Sequence, residues 1–271
     1  MNNGNEILKA QETEDNIKLL AAQRQMYSEA KNISAFATFV SLVIPLIVTL
    51  LQIYISINYW ILFFLALMLL LAGARLKRHA QKLIKDAACV QQKFDSNVFD
   101  MLFDNACICI CDIARYSTRY LENHDAKEEL LGWYTVSIKG MNGLDAITKC
   151  QRQNSKWTKN LATRYFIFEI IVTLIIATAI IVGIVLEHIP CENLFFLLTI
   201  SEWVLHQFFD LNDFRKRSKK LEMDMSHYAL STKENIEIIQ RDIFEYRLSA
   251  VLVPDWFYRV FKNKDNAATS L

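Results

Sequence analysis

The chain has 271 residues, 53% of them hydrophobic and 22% charged, with only 6 Gly and 3 Pro. So few turn formers exclude a chain of many short strands and point to an all-α protein. With 30 Lys and Arg against 29 Asp and Glu, a net charge of +1 excludes a globally basic surface for polymeric nucleic acid.

Residues 1–31 carry four basic and five acidic side chains and no early apolar core. They read as a cytoplasmic amphipathic segment and not as a cleavable signal peptide. From Asn32 to Ala74 there follow 43 residues without Asp, Glu, Lys or Arg. As one helix these would reach roughly 65 Å, about twice the ~30 Å hydrocarbon core. Residues 32–74 are therefore expected to cross, turn near Ser56-Ile57-Asn58 and cross back. Tyr54, Tyr59 and Trp60 flank that turn as interfacial rings, and Pro45 falls inside the first span, where neighbouring helices must accommodate a kink.

Residues 75–164 form an expected cytoplasmic helical domain. Its opening stripe of Leu76, Ala80, Leu83, Ala87, Val90, Phe94, Val98 and Met101 recurs every three or four residues, so the second span continues outward as a stalk. His124 to Gly143 reads as a connection broken by Gly132, Gly140 and Gly143, and a helix from Leu144 to Arg164 leads back to the membrane.

Residues 165–211 are expected to form the second hairpin. Ile170 to Leu186 supplies 17 uncharged residues, residues 187–192 a polar turn, and Asn193 to Leu211 a weaker fourth span. Arg75, Lys77, Arg78 and Lys82 follow the first hairpin, Lys156, Lys159 and Arg164 precede the second, and Arg215, Lys216, Arg217, Lys219 and Lys220 follow it. That asymmetry puts both termini in the cytoplasm. Residues 212–271 are the C-terminal cytoplasmic helices, and the stripe Leu221, Met225, Tyr228, Thr232, Ile236, Ile239, Ile243 and Tyr246 predicts a second long stalk beside the first. The expected fold is an all-α integral membrane protein: two transmembrane helix hairpins with long cytoplasmic helical extensions.

The chain lacks a Gly-rich phosphate loop, a nucleophile elbow and a His-Glu-x-x-His pair, so it is not read as an enzyme and no catalytic residue or cofactor is assigned. Cys107, Cys109 and Cys111 alternate without a second set of ligands, and they, Cys89 and Cys150 read as small buried residues of helices in a reducing cytoplasm, not metal ligands. Cys191 stands by itself on the expected outer side. Thr199, Glu202, His206 and Asp210 share one face of the fourth span. Such a face must look at protein or water. It suits a water-lined or gated path; interhelical hydrogen bonding with Thr173 and Thr178 competes, and a Glu/His/Asp metal site is a third reading to which no metal is assigned. Arg152, Asn154, Lys156 and Trp157 gather cations, an amide and a ring within two turns. They suit phosphates and a base plane, with a juxtamembrane basic anchor as the plainer reading.

Four stretches carry a family resemblance: Leu19 to Lys31, Val90-Gln91-Gln92-Lys93-Phe94-Asp95, Cys150-Gln151-Arg152-Gln153-Asn154-Ser155-Lys156-Trp157, and Val253-Pro254-Asp255-Trp256-Phe257-Tyr258-Arg259. Their order and the two-plus-two layout resemble the SMODS-associating four-transmembrane effector family along nearly the whole chain. Met101-Leu102-Phe103-Asp104-Asn105 departs from it, lacking a Trp before the Asn. The resemblance implies a bacterial antiphage effector in the inner membrane, pore-forming or membrane-disrupting. It also implies activation by a cyclic oligonucleotide messenger from a neighbouring synthetase. A homo-oligomer is expected, because four helices of one chain leave little room for a wide path. The competing classes are a constitutive ion channel or transporter and a non-conducting membrane scaffold.

Overall fold

The computed structural model describes residues 1–52, 54–55, 57–103, 110–122, 127–186, 194–227, 232–254, 257 and 260. The described elements are α1 (Gly4–Ala10), α2 (Glu14–Thr38), a π-helical turn (Phe39–Val43), α3 (Ile44–Leu51), α4 (Tyr59–Phe99), α5 (Ile110–Leu121), α6 (Gly143–Val185), α7 (Leu194–His227) and α8 (Lys233–Leu248). Two short 3-10 turns lie between α5 and α6, and no strand occurs among the described residues.

Local chemistry explains the boundaries. Asn3 caps α1 through a reciprocal capping box with Glu6, and the Asn58 side chain accepts from the Trp60 N–H at 2.9 Å to start α4 beside the expected turn. Helix α4 ends where Asp100 takes a left-handed φ of 51° and its N–H returns to the Ser96 carbonyl. Pro45 lacks an N–H and its ring would strike the carbonyl four residues back. The chain answers by widening Phe39–Val43 into a π turn, with the Ile44 N–H bonding the Phe39 carbonyl, so α2 and α3 read through as one 38-residue helix. A Cβ at Gly4 would run into the Ile138 carbonyl oxygen; its absence lets the Gly4 N–H reach the Met141 carbonyl at 3.1 Å.

Helix α4 changes solvent along its length. Over 41 residues it runs roughly 60 Å. Its first half exposes Trp60, Ile61, Phe64, Leu67, Met68 and Leu71, while its second half buries Ala80, Leu83, Ala87, Val90, Phe94 and Val98, the stripe read from the sequence. The N-terminal segment packs on that stripe: Leu20, Met26 and Ala30 are fully buried against it in a core that also holds Ile7, Ile113, Tyr134 and Ile147. Each fully buried side chain of Leu or Phe size contributes about 1.5–3 kcal/mol. Glu14–Leu51 and Tyr59–Phe99 are the two described helices long and apolar enough to cross a membrane. They meet in their apolar halves where Gly73 leaves room for Ser41. Helices α6 and α7 are 43 and 34 residues long. They expose Ile167, Ile171, Leu174, Ile175 and Val182 on α6 and Leu205, Phe208 and Phe209 on α7, an apolar surface that water does not favour.

The second stalk is not continuous. Helix α7 stops at His227 and α8 starts at Lys233, with the Thr232 hydroxyl accepting from the Asn235 N–H as its cap. The stripe folds back on itself: Phe214 stacks on Tyr246 with ring centroids 4.7 Å apart, and Leu221 and Met225 share a cluster with Ile239 and Ile243. A hairpin keeps the same three-and-four period on both arms, so periodicity alone does not separate it from one long helix.

Candidate functional site

Residues from the family-like stretches converge on a buried polar knot. The Asp95 carboxylate, 1% exposed, accepts from Arg247 Nη1 at 2.6 Å, Gln240 Nε2 at 2.8 Å and the Tyr134 hydroxyl at 2.8 Å. Gln240 also donates to Gln92 Oε1 at 2.9 Å, and Gln151 Nε2 donates to Gln240 Oε1 and the Ile236 carbonyl, both at 3.0 Å. The knot ties α4, α6, α8 and the Tyr134 turn together. Burial pushes the Tyr134 hydroxyl well above its ordinary value, and nearby Tyr27 up to about 12. Both stay neutral donors at any physiological pH.

This knot changes the meaning of the expected ligand stretch. Gln151 faces inward while Arg152, one residue and 100° further round α6, is exposed. The side chains of Asn154, Lys156 and Trp157 lie outside the described residues, so Arg152 is the member of the expected ligand group whose side chain the structure places. Of the cysteines, Cys89 and Cys150 are buried and Cys111 is exposed; Cys107, Cys109 and Cys191 lie outside the described residues. Burial raises the Cys150 thiol far above its ordinary range, which suppresses nucleophilic chemistry there.

The α7 face looks toward the π turn, α3 and α4. Ile200 and Trp203 are buried against Leu42, and Trp203 Nε1 donates to the Thr38 hydroxyl at 3.4 Å. Glu202, His206 and Asp210 are half-buried, whereas the Thr199 side chain lies outside the described residues. Asp210 Oδ2 sits 3.2 Å from His206 Nδ1 and 3.6 Å from Lys77 Nζ. Burial pushes the Lys77 ammonium down from its ordinary value, and the carboxylates of Asp210 and Glu202 push it back up. Among the described residues no group of three His, Cys, Asp or Glu side chains is placed to hold a metal ion. Charge patterning alone counts Lys77 as one basic flank residue among several. The signal that singles it out is spacing: Lys77 stands one turn beyond Gly73, on the side of α4 that meets its neighbours.

Beside this face a cavity of about 810 Å³ opens where the apolar halves of the helices give way to the core-packed part. Lys77, Gln81 and Lys85 of α4 form one wall, Trp203, Gln207, Asp210 and Arg217 of α7 another, Tyr165 of α6 its floor, and the segment after α8 its rim. That segment is pinned from below, with Phe257 packed edge-on against Tyr165 at 5.3 Å between centroids. The cavity thus touches α2, α4, α6, α7 and α8.

With this geometry established, residues 5–270 match the profile of the SMODS-associating 4TM effector domain. A relative in Bacillus cereus (strain VD146), described as a "probable CBASS effector molecule", is 25% identical over 285 residues, covering 96% of this chain and 94% of the relative. No solved structure matches.

Proposed function

Because the chain belongs to the SMODS-associating 4TM effector family, we propose that it is the membrane effector of a bacterial antiphage system, held closed until a cyclic oligonucleotide messenger binds and opens or disrupts its membrane part. Family membership and the relative with a CBASS effector description support an antiphage role for a membrane protein. The single observation that carries the gating half of the reading is the continuity of α4. The same 41-residue helix is lipid-like in its first half and core-packed in its second, so a rearrangement of the cytoplasmic core has a rigid lever into the apolar region.

In this reading α6 and α7 supply the third and fourth spans, both termini stay in the cytoplasm of a cell whose inner membrane holds the protein, and several chains assemble around the path. The protein carries out no reaction of its own and needs no cofactor. The Glu202 face, half-buried against the first hairpin, is the closed form; it lines a path only when α7 moves away from α2 or neighbouring chains join it. Taking such an equilibrium from 1:99 to 99:1 requires the messenger to favour the open form by ~5.5 kcal/mol. Cells making the protein with the synthetase of its own system should admit propidium iodide, and cells with an inactive synthetase should exclude it. Dye exclusion in both, with the protein present in the membrane fraction and messenger detected in the extract, would sink the proposal.

A further inference from the structure

We propose that the 810 Å³ cavity at the membrane junction is a binding site for a phosphate-bearing ligand; as the seat of the messenger it rests on the reading above. Its volume falls in the roughly 300–1,000 Å³ range of small-molecule sites. The wall carries four cations, Lys31, Lys77, Lys85 and Arg217, against three carboxylates, Asp210, Asp213 and Glu245, an excess of one positive charge, and two of the cations are paired within it. Glu245 holds Arg217 at 3.2 Å, and Asp210 is shared between His206 and Lys77.

Lys77 is the telling group. Its Nζ is buried and makes no hydrogen bond in the structure, and its nearest carboxylate oxygen stands at 3.6 Å. An ammonium has three donors, and a buried charge is tolerated when they are filled. A phosphate oxygen entering the cavity supplies the missing acceptor with a charge of the right sign, whereas a cationic ligand would meet Lys77 head-on. Trp203 and Tyr165, both largely buried, line it together with the amides of Gln81 and Gln207, residue types that stack on a base and read its edge. A ligand there would touch α2, α4, α6, α7 and the segment after α8 at once, so its occupancy bears directly on how the apolar helices pack.

A nucleotide phosphate and the headgroup of an anionic lipid share this chemistry, and one experiment separates them. Full-length protein in phosphatidylcholine nanodiscs is titrated by calorimetry with a panel of cyclic dinucleotides and trinucleotides. In parallel, nanodiscs containing phosphatidylglycerol are read for retained lipid by native mass spectrometry. Lys77→Gln should weaken whichever ligand binds by roughly ten- to a hundredfold. Lys85→Gln, at an exposed position where folding is not at stake, should weaken it less and decides the matter if Lys77→Gln misfolds. A cyclic oligonucleotide bound equally by wild type and both variants, but lost in Arg152→Ala, overturns the cavity and leaves the effector reading standing. Phosphatidylglycerol retained by the wild type and lost by the variants, with no cyclic oligonucleotide bound, keeps the site and overturns the messenger. Neither ligand bound overturns both.

Discussion

Replacing Asp95 by Asn keeps the size of the side chain and removes the charge that Arg247 was buried to meet. In the native chain Arg247 Nη1 lies 2.6 Å from the carboxylate, and the two side chains are 8% and 1% exposed. A buried pair of this kind gains little over an apolar pair of equal volume, but removing one partner strands the other and costs about 3–5 kcal/mol. The introduced amide would still accept from the Tyr134 hydroxyl or Gln240, so most of the loss belongs to the stranded guanidinium. For a chain of this size that cost corresponds to a fall in Tm on the order of 10 °C, measurable by differential scanning fluorimetry in mild detergent. Replacing both partners, Asp95→Leu with Arg247→Met, strands no charge but leaves the Gln240 amide and the Tyr134 hydroxyl without their acceptor, so it should recover only part of the lost Tm. An Asp95→Asn protein melting within about 2 °C of wild type would refute the assignment of the knot as the clasp of α4, α6 and α8.

Three further outcomes are expected. Gly73→Ala should be tolerated, because the Ser41 hydroxyl in its way rotates aside, whereas Gly73→Leu should cost about 1–3 kcal/mol by prying α2 from α4, read as a lower Tm or loss of yield; equal behaviour of the two contradicts the close approach. If the Glu202 face lines the open path, Glu202→Gln should keep yield and oligomer size but shift the reversal potential under a salt gradient, since it removes a ring of charge; wild-type selectivity would return the face to interhelical bonding. In an otherwise cysteine-free background, Asn58→Cys and Asn193→Cys should react with an impermeant maleimide on intact cells and Ser137→Cys should not; a silent Asn193→Cys with a reactive Ser270→Cys would remove the fourth span.

The parts of the fold legible in the sequence are those where one physical pattern has one structural answer. The 43-residue uncharged run divides between α2–α3 and the first half of α4, two apolar helices as its length suggests, and the Leu76 to Val98 stripe has a single long helix to sit on. The separate start of α8 is legible only as chemistry: Thr232 followed by Lys233 and Glu234 is a helix start, but the unbroken period from Leu221 to Tyr246 conceals it. The Pro45 kink is visible as a residue, while the π turn that absorbs it depends on the surrounding helices. Least legible is the knot. Asp95 in an apolar stripe signals a buried partner, yet that partner, Arg247, lies 152 positions away, and no local spacing points to it. The place of Lys77 one turn beyond Gly73 is legible, but its role follows from what α7 brings opposite it, and the same limit conceals that Gln151, inside the Cys150 to Trp157 stretch, faces the core.

On the proposed function, this protein alone converts a cyclic oligonucleotide into a breach of the bilayer. Proteoliposomes loaded with a self-quenched dye, holding only this protein, test it against a panel of cyclic dinucleotides and trinucleotides. The account predicts that one messenger releases dye in a protein-dependent, saturable way, and that without messenger the vesicles stay sealed. Vesicles that leak equally with and without every messenger would contradict gating and favour a constitutive channel. Vesicles that stay sealed throughout, with the protein inserted and oligomeric, would contradict a membrane-breaching effector altogether.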